Sequence, residues 1–132
     1  MEYAFGTRLA IALLLISGLL AGCAQSNLEI GMVETNLPGR WRASYATFDG
    51  TKTDRLEADA GQTLVLDAEA EVDKGNLTIE VRDPDDRVLW DLSLEQDGEE
   101  SMELVLEQTG RYGIVVEGDN AGGSFNLTWE LE

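Results

Sequence analysis

Histidine is absent from this 132-residue chain, cysteine occurs once, and proline occurs twice. Without histidine there is no Ser-His-Asp or Cys-His catalysis and no zinc site built on imidazole. A single cysteine allows neither an internal disulfide nor a four-cysteine metal site. Positive charge is also scarce: 9 basic residues stand against 26 acidic ones, a formal charge of −17 at pH 7. Phosphate binding needs a basic face, so a nucleic-acid partner is excluded. The length leaves room for one ordinary domain once a targeting segment is removed.

What is present begins with an address. Met1 to Arg8 form a short start carrying Arg8. An apolar run from Leu9 to Leu20 follows, relieved only by Ser17 and Gly18. Twelve helical residues reach about 18 Å, well short of the roughly 30 Å hydrocarbon core of a bilayer. The run therefore reads as a signal-peptide core, typically about 7–15 residues long, and not as a membrane span. Small residues close it in Leu20-Ala21-Gly22-Cys23.

That tetrapeptide resembles the lipobox of bacterial lipoproteins. The resemblance implies that Leu20, Ala21 and Gly22 are the recognition residues. It implies further that Cys23 receives a diacylglyceryl group and that cleavage falls just before it. The expected product is a 110-residue exported chain with 25 acidic and 8 basic residues, still at −17. Its expected place is the surface of a bacterial membrane, or the outer membrane where the organism has two. Two or more acyl chains make such an anchor durable, whereas one alone is marginal.

The expected organisation is a signal peptide over residues 1–22, a lipidated cysteine and tether over 23–38, and a folded domain over 39–132. The tether reading rests on the lack of a sustained period from Ala24 to Pro38. The alternative is an edge strand using Leu28, Ile30, Met32 and Val33, since Ile30 and Met32 have strand spacing. Beyond Gly39 a period of two dominates. Leu64, Leu66, Ala68, Ala70 and Val72 alternate with Val65, Asp67, Glu69 and Glu71, which sends the two sets to opposite faces of a strand. The same beat runs through Leu77–Val81, Val88–Leu94, Met102–Leu106, Tyr112–Val116 and Phe125–Leu131. Trp41, Ala43 and Tyr45 suggest a first strand, and Leu56 with Ala58 a short second one.

Turns are expected at Asp73-Lys74-Gly75-Asn76, at Asp83-Pro84-Asp85-Asp86, around Gly98, and over Gly118–Gly123. About eight short strands at this spacing predict an all-β fold, an antiparallel two-sheet sandwich. From Leu56 onward the order of features resembles small bacterial jelly-roll sandwiches, the pre-peptidase C-terminal and GOLD-like domains. The pieces that carry this are Ala60-Gly61-Gln62, Gly75, Asp83-Pro84-Asp85, Gly110-Arg111-Tyr112 and Gly123-Ser124-Phe125. The resemblance implies a fold and leaves the function open.

Three sets of residues are candidates for chemistry. Asp83, Asp85 and Asp86 share one turn, and clustered loop carboxylates can ligate calcium, although this spacing is not that of an EF-hand loop. Asp97, Glu99 and Glu100 form a second acidic turn. Arg40, Trp41, Arg42 and Phe48 are expected to form an exposed aromatic patch for a ligand, because Phe48 falls out of phase with Trp41 and Tyr45. Trp90, Trp129 and Tyr112 share the inward phase and read as core. The Asp67, Glu69 and Glu71 stripe reads as a solvated face. Paired carboxylates serve as acid and base in glycosidases, but no feature singles out one pair, so no catalytic residue is expected.

The leading expectation is a non-catalytic sandwich, anchored to a membrane by lipid, with a binding or structural role at the cell envelope and a protein or polysaccharide partner. The alternatives are a calcium-dependent adhesion or polysaccharide-binding module, and a small hydrolase working with carboxylates.

Overall fold

The computed structural model describes residues 27–132. The signal peptide, the Leu20-Ala21-Gly22 recognition residues and Cys23 lie outside the described residues. The described chain is all strand: β1 (Leu28–Ile30), β2 (Val33–Leu37), β3 (Arg40–Ala58), β4 (Thr63–Arg82), β5 (Val88–Leu94), β6 (Gly98–Val105) and β7 (Gly110–Leu131). Every pairing is antiparallel.

Three of these strands are far longer than the alternation suggested. β3, β4 and β7 span 19, 20 and 22 residues, against a typical strand of about 5–6. Each absorbs two of the expected short strands. The first half of β3 pairs with the second half of β7, from Arg40 opposite Thr128 to Tyr45 opposite Gly123. The second half of β3 pairs with the first half of β7, from Gly50 opposite Gly118 to Ala58 opposite Gly110. β4 divides in the same way, with Leu64–Val72 against the end of β7 and Asn76–Arg82 against its beginning.

The division falls at one level in all three strands. The register slips between Tyr45 and Gly50 in β3 and between Val72 and Asn76 in β4, on either side of Gly118–Gly123 in β7. A bulge adds an unpaired residue, bends its strand and raises the local twist. Aligned bulges therefore fold one continuous sheet over on itself. One layer has the order β2, β3, β7, β4, β6, and the other has β3, β7, β4, β5. The result is an antiparallel β-sandwich whose two layers share their three longest strands.

The expected turns at Asp73–Asn76 and Gly118–Gly123 are thus bends within strands and not reversals. Their glycines are nevertheless required. Gly75 has φ +67°, and a β-carbon there would strike the carbonyl oxygens of Asp119 and Asn120. Gly123 has φ +137°, and a β-carbon there would strike the Glu71 carbonyl oxygen. Backbones approach this closely only where no side chain intervenes.

The alternating residues meet in one core. Trp41, Ala43 and Tyr45 come from β3, Leu64 to Val72 and Leu77 to Val81 from β4, and Tyr112, Ile114, Val116, Phe125 and Leu127 from β7. Trp41 meets the edge of Phe125 with ring centroids 5.2 Å apart. Trp90 and Trp129 are partly buried against the same cluster.

The tether reading is corrected from Leu28 onward. β1 and β2 both pair with β3, Leu28 opposite Asp49 and Leu37 opposite Arg40, with Gly31 and Met32 between them. Both strands are exposed along their whole length, so they contribute little to the core; they accord with the edge-strand alternative, except that Met32 lies between two strands and not within one. Lys52 fastens this ribbon through ion pairs to Glu29 at 3.0 Å and Glu34 at 2.5 Å. Among the described residues the seven strands and the buried core lie between residues 28 and 131, so a polypeptide starting at Ala24 contains all of them.

Candidate functional site

The aromatic patch expected around Arg40, Trp41, Arg42 and Phe48 is not a surface patch. Trp41 is 1% exposed and Phe48 is fully buried, while Arg40 and Arg42 are exposed. The cause is the bulge between Tyr45 and Phe48. An extra residue resets the phase of a strand, so a residue out of step with Trp41 and Tyr45 is returned to the core.

The Asp83, Asp85 and Asp86 turn is held together by its own chain. Asp83 Oδ1 accepts the backbone N–H of Asp85 and of Arg87, both at 2.9 Å. Asp85 accepts from Gln108 Nε2 at 3.2 Å, and Asp86 pairs with Arg82 Nη1 at 3.3 Å. The three carboxylates thus serve three different partners, as expected of a local Asx turn. Among the described residues no group of three or more acidic, histidine or cysteine side chains is arranged to hold a metal ion.

The structure instead assembles a polar trough on the outer face of the five-stranded layer. Residues opposite one another in register share a face, so the rows can be read across the strands. The central row runs Thr35, Arg42, Asn126, Glu69, Glu99. One neighbouring row runs Leu37, Arg40, Thr128, Asp67, Ser101, and the other Val33, Ser44, Ser124, Glu71. All of these side chains except Leu37 and Arg40 line two adjoining open grooves of about 340 and 430 Å³, which share Glu69 and Asn126. Both volumes fall within the roughly 300–1,000 Å³ of ordinary ligand sites.

Asn126 is the pivot of the trough. Its side-chain oxygen Oδ1 is buried and accepts no hydrogen bond among the described residues. A buried, unsatisfied polar atom of this kind costs about 1–3 kcal/mol. Around it the groove offers the hydroxyls of Ser44, Ser124 and Thr128, the Arg42 guanidinium, and the carboxylates of Asp67, Glu69, Glu71, Glu99 and Glu100. Asp67 is engaged by the Ser101 hydroxyl. Glu69 and Glu99 sit directly opposite one another, a like-charge juxtaposition that disfavours the bare sheet.

Alternation alone marks Asp67, Glu69 and Glu71 as a solvated face and does not single out Asn126. The signal that marks the trough is the run of small polar residues Ser124, Asn126 and Thr128 at alternate positions. They face outward opposite the acidic stripe of β4, in a strand whose inward residues are core.

No family model matches the chain, and no curated protein matches it. Solved structures similar in fold include the enzymatically active domain of tailspike protein 4 from bacteriophage CBA120. That match has 13% identity and a TM-score of 0.50, and covers 81% of this chain but 19% of the tailspike chain. A carbohydrate binding module from Cellvibrio mixtus lichenase 5A, solved in complex with cellotriose, matches at 13% identity and a TM-score of 0.45. That match covers 80% of this chain and 86% of the module. The periplasmic inhibitor of g-type lysozyme from Aeromonas hydrophila matches at 19% identity and a TM-score of 0.42, covering 76% and 89%. At these identities the likeness is one of fold.

Proposed function

We propose that this chain is an exported, lipid-anchored, non-catalytic β-sandwich that binds a polysaccharide of the cell envelope in its outer trough. The supporting observation is the pair of adjoining open, polar grooves that meet at Asn126 and Glu69. Sugar hydroxyls both donate and accept, and the trough offers carboxylate and amide acceptors beside guanidinium and amide donors. Five carboxylates against the single Arg42 favour a neutral or amine-bearing glycan and disfavour a polyanionic one. The groove is shallow and open, which suits a chain lying across it better than a small substrate enclosed for reaction.

The test is affinity electrophoresis of residues 24–132 through gels containing neutral, amine-bearing and uronate-bearing polysaccharides. Retardation by a neutral or amine-bearing polymer is expected, with Asn126→Ala lowering affinity about tenfold, the equivalent of one lost hydrogen bond in a desolvated site. Passage through every gel without retardation refutes the trough as a glycan site.

The anchor is supported by the apolar run Leu9–Leu20 and by the chain's only cysteine falling at the lipobox position. Cys23→Ser is expected to abolish labelling by an azide-bearing fatty acid and to leave uncleaved precursor. Unchanged labelling removes the anchor.

A further inference from the structure

We infer that the β1–β2 ribbon is a membrane-contacting edge that lays the sandwich down on the bilayer carrying its anchor. The inference rests on the anchored reading above.

The ribbon runs in line along β3, and its side chains sort cleanly. Glu29 and Glu34 point to the Lys52 side and share its single ammonium there. Leu28, Ile30, Val33 and Leu37 pair opposite Asp49, Thr47, Ser44 and Arg40 and remain exposed, at 49%, 51%, 69% and 53%. Four of the seven exposed large hydrophobic residues among the described residues thus lie on these ten positions. The Gly31–Met32 irregularity is what keeps them together, since it restores the phase between Ile30 and Val33. Met32 itself packs against the core.

Beside this apolar stripe stand Arg40 and Arg42, which make no ion pair among the described residues. Apolar side chains flanked by arginine match the boundary between acyl chains and anionic headgroups. The long stem of arginine also lets its charge reach a phosphate while the stripe is buried.

The charge distribution fixes which edge faces the lipid. Residues 27–58 hold five acidic and four basic side chains, whereas residues 59–132 hold twenty acidic and four basic. Nearly all of the −17 therefore resides on β4 to β7, and the β1–β3 edge is close to neutral. An anionic surface repels the first part and tolerates the second. Covalent reach points the same way, because the five residues from Cys23 to Leu28 span at most about 17 Å. Tilted onto this edge, the sandwich sets the near end of the trough, at Val33, Thr35 and Arg42, against the headgroups and raises its acidic β6 end away from them.

The test uses residues 24–132, which contain no cysteine, with an N-terminal hexahistidine tag. The tag holds the protein on phosphatidylethanolamine–phosphatidylglycerol vesicles containing nickel-chelating lipid, so proximity does not depend on acylation. A fluorophore is placed at Thr35→Cys on the ribbon or at Glu103→Cys on β6, with a doxyl-lipid quencher in the bilayer. Quenching at position 35 is expected to exceed that at 103 by at least about threefold, and Ile30→Asp with Leu37→Asp is expected to abolish the difference. Arg40→Glu with Arg42→Glu is expected to weaken it. Equal quenching at both positions overturns the inference, as does insensitivity to the aspartates. A dimer in sedimentation that the aspartates dissociate, with a lipid-insensitive label, assigns the stripe to a second copy and also overturns it. Failure here with intact fatty-acid labelling at Cys23 leaves the anchor standing.

Discussion

The Tyr112 hydroxyl donates to the carbonyl oxygen of Gln108 at 2.6 Å and accepts that residue's own amide proton at 3.2 Å. One phenol thus satisfies both backbone groups of a residue in the connection between β6 and β7, where no strand can do so. Tyr112 is itself 1% exposed, so the connection is tied to the core. Tyr112→Phe keeps the ring and leaves both Gln108 groups unpaired. Urea denaturation is expected to show a loss of about 1–3 kcal/mol, with the amide of Gln108 becoming rapidly exchanging.

Tyr45 has the opposite problem. Its hydroxyl is buried without a partner among the described residues. Burial first, and the Asp73 carboxylate second, push its pKa from the usual 10.0 up to about 12. Folding therefore favours the neutral phenol, and stability is fully present below pH 10 and lost as pH rises towards 12. A shift of this size corresponds to about 2–3 kcal/mol. The Lys52 ammonium acts in the same direction. Partial burial pulls its pKa down, but hydrogen bonds to Glu34 and Glu29 outweigh this and raise it, so its contribution also fades at high pH. Tyr45→Phe is expected to leave stability at pH 7 unchanged or higher and to flatten the decline between pH 10 and 12. An unaltered alkaline limb in denaturation curves contradicts the assignment.

Gly123 and Gly61 both have positive φ, at 137° and 95°, yet their surroundings differ. A β-carbon at Gly61 meets nothing within 4 Å, whereas at Gly123 it meets the Glu71 backbone. Gly61→Ala is expected to cost about 1 kcal/mol, the conformational penalty alone. Gly123→Ala is expected to cost at least about 3 kcal/mol, because β4 and β7 must also separate at the bend. Equal losses by thermal denaturation speak against a close approach of the two backbones.

Glu69 opposite Glu99 makes a repulsive cross-strand pair within a strongly acidic layer. Glu99→Lys is expected to stabilise residues 24–132 by about 0.2–1 kcal/mol at low ionic strength. The gain should shrink as salt shortens the Debye length from about 30 Å at 0.01 M to about 3 Å at 1 M. The unmodified protein is expected to melt at higher temperature as NaCl is added, and a flat response removes repulsion as a determinant of stability.

The sandwich and its core were legible because inward positions from Trp41 to Leu127 obey a period of two with few exceptions. Strand continuity was not legible, since Asp-Lys-Gly-Asn and Gly-Asp-Asn-Ala-Gly-Gly have the composition of turns whether the chain reverses or merely bends. Only long-range pairing across β7 decides between the two. Phe48 was misplaced for the same reason, because a bulge erases the phase relation on which the face assignment depends. β1 and β2 were legible only as the edge-strand alternative to a tether, because edge strands bury almost nothing of their own. The trough residues read as an unremarkable wet surface until register brought Arg42, Asn126 and Glu69 into one row.

The bend shared by β3, β4 and β7 has a mechanical corollary. With the same three backbones running through both layers, neither layer can peel away, slide or swing open while its partner stays intact. The molecule should give way as a single unit when pulled or heated, and it remains a stiff slab until that moment.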